Sequence, residues 1–258
     1  MPPTRRARRS GCTGSRGLQS RQLYRAAGSN RRSCSTRYGD LFTIPLSAGA
    51  YGLADEGSYF KATNPTVSTG VAHALTQTWA ATTALFVLFN NDAEGAKRIY
   101  LDYVKLHLVS ASPTAATSIE SAVTIDNTNR YASGGSAITP KNPNMDSSQA
   151  TIAILNLGAV TASAASGAVR LLSRNRFPHR AAPAIVLGDT LIFNFGRVES
   201  FGLAQAGSAT PASAPSMFVT SCGPAVLGGG DSLVFHLWYP AIATTAPSYE
   251  FEMGWWER

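Results

Sequence analysis

Cysteine is nearly missing from this sequence: its 258 residues hold three, Cys12, Cys34 and Cys222. They are too few and too scattered for a disulfide framework, and no Cys-x-x-Cys or Cys/His spacing suggests zinc, so neither metal nor cofactor is expected. Charge is scarce too, at 14% of residues against 44% apolar. Long apolar runs are absent. The longest, Ala84 to Phe89, has six residues, where a membrane helix needs about 18 to 20, so no membrane partner is expected. A secretory signal needs an apolar stretch after its positive charges, and Leu18, Leu23 and Tyr24 stand isolated there; secretion by that route is not expected. No segment offers the 3.6-residue apolar periodicity of a good amphipathic helix.

What charge there is lies in one place. The first 39 residues carry ten arginines, among them Arg5, Arg6, Arg8, Arg9, Arg31, Arg32 and Arg37, with no lysine and no acidic side chain. From position 40 onward there are 12 basic residues and all 15 acidic ones, so the net charge of +7 is an arm of +10 on a body of −3. Prolines 2 and 3 and five glycines rule out a long helix in the arm, which is expected to be extended. Arginine forks spaced along such a backbone meet phosphates without reading sequence, and each neutralised phosphate releases counterions. Nucleic-acid contact is the leading reading of those seven arginines. Docking on a neighbouring subunit, a transit peptide (which the helix breakers disfavour) and a start codon placed too far upstream remain open.

Residues 40–258 read as one all-β domain. Short β-like runs are spaced by turn chemistry: Ala84 to Phe89, Ile99 to Val109, Ile119 to Ile125, Thr151 to Leu157, Ala168 to Leu172, Thr190 to Phe195, Ser232 to Trp238 and Tyr249 to Met253. In Val104 to Leu108 and in Tyr249 to Met253 the alternation is strict, which predicts one buried and one outward face. Gly188-Asp189 and Gly230-Asp231 each launch such a run, and Gly39-Asp40-Leu41-Phe42 is a shorter copy. Glycine supplies positive φ and aspartate caps its own turn, so these read as equivalent corners of one sandwich. The stretches 66–78 and 159–166 are Ala/Ser/Thr-rich and fit strand, helix or loop. Asn127 to Gln149 and Ala204 to Pro224 read as long polar loops of the kind that carry contacts.

Catalytic candidates are weak. The histidines at 73, 107, 179 and 236 show no metal spacing, and Gly134-Gly135-Ser136-Ala137 lacks the strand-turn-helix setting of a nucleophile elbow. Glu250 and Glu252 share a strand face as paired carboxylates can in a glycosidase, yet their placement near the chain end reads better as a solvent- or partner-facing edge. No enzyme activity is expected. Three of the four tryptophans fall in the last 21 residues. Trp255 and Trp256 either anchor the core or dock on a subunit or ligand, tryptophan being enriched at binding hot spots.

An arginine-rich arm followed by about eight strands resembles the layout of icosahedral virus coat proteins with a jelly-roll shell domain. The low-charge body and the ending Tyr249-Glu250-Phe251-Glu252-Met253-Gly254-Trp255-Trp256-Glu257-Arg258 look like head shell or decoration proteins of bacteriophage particles. The resemblance implies an antiparallel β-sandwich, jelly-roll in type, and a non-enzymatic protein of the virion. Its partners would be copies of itself, other virion proteins and, through the arm, genomic nucleic acid. A glycan- or surface-binding β-sandwich module, such as a fibre or lectin-like domain with the two tryptophans as platform, is the alternative.

Overall fold

In the computed structural model, residues 49–64, 66–110, 119–177, 187–196, 217–240 and 247–258 are described. The ten arginines of the arm and the Gly39-Asp40 corner lie outside them, as do His179 and most of the 204–224 loop. A seven-residue helix, α1 (Gly49–Asp55), precedes the first strand. The strands follow as β1 (Tyr59–Thr63), β2 (Val71–Ala72), β3 (Thr83–Asn90), β4 (Ile99–Ser110), β5 (Ile119–Asp126), β6 (Tyr131–Ile138) and β7 (Ala153–Ala162). After them come β8 (Arg170–Phe177), β9 (Thr190–Phe195), β10 (Met217–Cys222), β11 (Val226–Leu227), β12 (Ser232–Trp238) and β13 (Ser248–Glu257).

Two sheets result. One runs β1-β13-β4-β9-β10, with β2 on β13 and β11 on β4; the other runs β6-β7-β3-β12-β5-β8. Four antiparallel pairs are nested in sequence: β1 with β13, β3 with β12, β4 with β9, and β5 with β8. Each pair lies inside the previous one along the chain, and β13–β4 and β12–β5 join the pairs within each sheet. Such a rolled hairpin of eight strands in two sheets is the jelly-roll wrap. The β6–β7 hairpin is inserted between β5 and β8 and joins the sheet through β3, and β10 adds a parallel strand on β9.

Aromatic rings from both sheets interlock at the centre. Phe86 stacks on Phe235 with centroids 4.9 Å apart, while Phe193 and Phe251 of the facing sheet meet these rings edge-on at 4.8 and 5.4 Å. Each such pair adds about 0.5–1.5 kcal/mol beyond the area it buries.

All eight expected strands are present, and the two strict alternations have the expected buried and outward faces. Gly188 and Gly230 both take positive φ, at 90° and 86°, and Asp231 caps its turn by accepting a hydrogen bond from the Gly228 amide at 2.7 Å. The polar stretch 127–149 differs from expectation: it contains β6, so the Gly134-Gly135-Ser136 segment is strand. Within 204–224, residues 217–222 form β10. The undecided stretch 66–78 contributes only β2, and 159–166 continues β7 as far as Ala162.

Candidate functional site

The two tryptophans singled out by sequence part company on β13, because neighbours on a strand point to opposite faces. Trp255 faces inward at 0% exposure, stacks on Phe60 at 6.3 Å and donates its indole N–H to Glu257 at 3.0 Å. It is a core anchor and presents no surface to a subunit or ligand. Trp256 lies outward, partly exposed, parallel to Tyr100 at 5.6 Å.

Glu250 and Glu252 do share the outward face of β13, but that strand is central between β1 and β4, which corrects the expectation of an edge. Glu250 accepts the Ser68 amide at 2.5 Å. Glu252 sits 2.8 Å from Lys61 and 4.0 Å from Lys105 and accepts the Tyr103 hydroxyl at 2.5 Å. Partial burial raises the Glu252 pKa, yet the Lys61 contact, the Tyr103 hydroxyl and the charges of both lysines outweigh it, so the carboxyl titrates below its usual range. A carboxylate held ionised this way is a strut, not a proton donor. No cluster of metal-ligating side chains occurs among the described residues.

The surface best shaped for recognition lies elsewhere, on the outer face of the second sheet. Register places Trp238 and His236 of β12 beside Glu120 and Ala122 of β5, which in turn lie beside Arg176 and Arg174 of β8, with Thr124 opposite Leu171 one step along. One wall is the segment before β3, with Trp79 and Ala81; the other is the β7–β8 connection, with Ala165 and Val169. Together they enclose an open cavity of about 540 Å³. Trp79, Leu171 and Val169 are 52%, 60% and 37% exposed, so three large apolar side chains cluster at its mouth.

Both walls hang on one buried ion pair. Arg130 donates to Asp126 at 3.2 Å, to the Ala81 carbonyl at 3.0 Å and to the Ser163 carbonyl at 2.8 Å. Asp126 accepts the Ser166 amide at 2.8 Å and also the Ser166 hydroxyl. Desolvation pushes the Asp126 pKa up, but the Ser166 hydrogen bonds and Arg130 more than offset it, and the carboxyl titrates below its usual value. The groove is therefore pre-shaped, since its walls share a satisfied polar anchor.

His236 forms part of the floor. Its Nδ1 lies 2.8 Å from the Thr83 carbonyl, so that nitrogen carries the proton, and Trp79 packs edge-on against the ring at 6.1 Å. Burial lowers its pKa against the opposing pull of the Thr83 carbonyl, with Arg130 adding to the lowering. His107 is bonded to Thr190 at 2.9 Å on the first sheet. His73 is 2% exposed with neither ring nitrogen hydrogen-bonded, and burial drives its pKa down to about 4, with His236 contributing.

Sequence reading missed this groove. Its lining comes from four segments spread between Trp79 and Trp238, none periodic by itself; the lone Trp79 in a polar stretch was the available signal. No family model matches the chain, and neither a curated protein nor a solved structure matches it.

Proposed function

We propose that this protein is a structural subunit of a viral or bacteriophage particle, assembling in many copies, with residues 1–39 contacting genomic nucleic acid or a neighbouring subunit. The reading rests on one conjunction: a nested eight-strand wrap lies C-terminal to an acid-free arm of ten arginines. Segregating the charge serves such a role physically. The arm supplies phosphate affinity without sequence readout, while a body of −3 with few charges loses little solvation when packed against its copies. The groove on the second sheet adds a rigid apolar contact surface. In this reading the protein works by assembly, not by turnover, inside a virion. Of the two C-terminal tryptophans only Trp256 is left as a platform for a glycan-binding reading, because Trp255 belongs to the core.

The test compares the full chain with a chain beginning at Asp40, measuring nucleic-acid retention across ionic strength beside light scattering for assembly. Loss of nucleic acid with assembly intact assigns the arm to the genome, with a salt slope of about −0.7 to −0.9 per phosphate released. Loss of assembly assigns it to a neighbour. Neither chain assembling under any condition would overturn the proposal.

A further inference from the structure

We infer that the groove on the second sheet receives the loop around Met145 of a second copy of this chain, forming a head-to-tail contact; this rests on the multi-copy reading above. Met145 is 93% exposed, the most exposed large apolar side chain among the described residues. Its loop is nonetheless firmly built. Asn142 donates to the Gly57 carbonyl at 2.7 Å and Asn144 to the Asp55 carbonyl at 3.1 Å, while the two side-chain oxygens cap the Asn144 and Asp146 amides at 2.9 and 3.0 Å. Gln149 ties the far side to the Glu56 carbonyl at 3.1 Å. A rigid loop that holds an apolar tip in solvent has little entropy left to lose on docking.

Shape and charge both match the groove. An unbranched thioether adapts to irregular apolar space and packs favourably against aromatic rings, and the cavity presents the indoles of Trp79 and Trp238. Arg174 and Arg176 on β8 face a single carboxylate there, Glu120, at 3.2 and 3.7 Å, so the rim is net cationic. The loop is net anionic: Asp146 adjoins Met145, with Asp55 and Glu56 behind it, against Lys141 at the loop base and Arg258, which pairs with Glu56 at 3.6 Å.

Topology makes the contact intermolecular. The loop springs from β6 and packs on the segment before β1, the outer strands of their sheets, while the groove lies over β12, β5 and β8 at the opposite side of the second sheet. At about 4.8 Å per strand, β6 and β5 stand about 19 Å apart, too far for a pinned loop to cross to its own groove. A contact between two different patches propagates from copy to copy, closing into a ring or running on as an open array according to the rotation it sets, so it can build a species of many copies.

The experiment mixes two variants of the full chain, Met145→Cys and Leu171→Cys, each with Cys12 and Cys34 changed to serine, under mild oxidation. An interchain disulfide joining positions 145 and 171, formed in the mixture and in neither variant alone, is the expected result. In parallel, Asp146→Arg and Arg174→Glu should each weaken self-association about tenfold or more, with the double variant restoring it to within about threefold. Particles that form normally without the disulfide, and with Asp146→Arg and Met145→Asp leaving assembly unchanged, overturn this contact while leaving the proposed function standing. A wild-type chain that stays monomeric overturns both.

Discussion

Arg130 and Asp126 meet at 3.2 Å with only 1% and 0% of their side chains exposed, and between them they bind two chain segments, one at Ala81 and one at Ser163 and Ser166. The pair ends β5, opens β6 and fixes both walls of the groove. Removing one partner leaves the other charged, buried and short of hydrogen bonds. Arg130→Ala is expected to cost about 3–5 kcal/mol, whereas replacing both residues together, Arg130→Met with Asp126→Leu, should cost markedly less. Urea denaturation of the dissociated chain checks this, and equal losses in the two variants would show that the pair itself is not the source of stability.

Acid should weaken the fold through its buried histidines before it reaches the carboxylates. His73 titrates near 4 in the folded chain and near 6.5 when unfolded, and the folded pKa of His236 is lowered as well. In that window the unfolded chain binds more protons, so stability falls as pH drops from about 6.5 towards 4, by up to about 1.4 kcal/mol per pH unit for His73, with His236 acting in the same direction. The Asp126 contribution is lost only at lower pH, below 3.8. Denaturation midpoints between pH 7.5 and 4.5 should flatten in His73→Phe; an unchanged slope would clear His73 of the effect.

The adjacent tryptophans should behave unequally. Trp255→Ala empties a fully buried site and is expected to cost about 3–5 kcal/mol. Trp256→Ala removes a partly exposed ring whose main partner is Tyr100, and about 1 kcal/mol is expected. Thermal melts of the two variants give the comparison, and similar losses would contradict the split between core and surface.

These differences show what the sequence alone could carry. Ser232–Trp238 and Thr190–Phe195 were legible to the residue because a Gly-Asp corner fixes where each begins and apolar residues fill it. By contrast, Tyr59–Thr63 is five residues long and becomes a strand only by pairing with β13 nearly two hundred positions later. Tyr131–Ile138 carries two central glycines and little β propensity, so β7 supplies the reason it is extended. The groove was invisible for the same cause: Arg130 and Asp126 are four apart, as on a helix face, yet they pair across a turn.

Gly254 marks a close approach of a similar kind, since a β-carbon there would run into the Tyr59 hydroxyl and the Tyr103 ring. Register shifts between Gly254 and Trp255 at this point, where β1 and β4 both border β13. Gly254→Val is therefore expected to destabilise the chain by about 1–3 kcal/mol through overpacking. Calorimetry of this variant should show the loss; a neutral result would mean the tyrosines can swing aside.

The body is proposed to assemble in many copies. Mass photometry of the full chain across concentration and ionic strength tests it most directly. A discrete, uniform species of many copies of the 27.2 kDa chain, sharpening as protein concentration rises, is the expected result. A single population at the mass of one chain under every condition would contradict it.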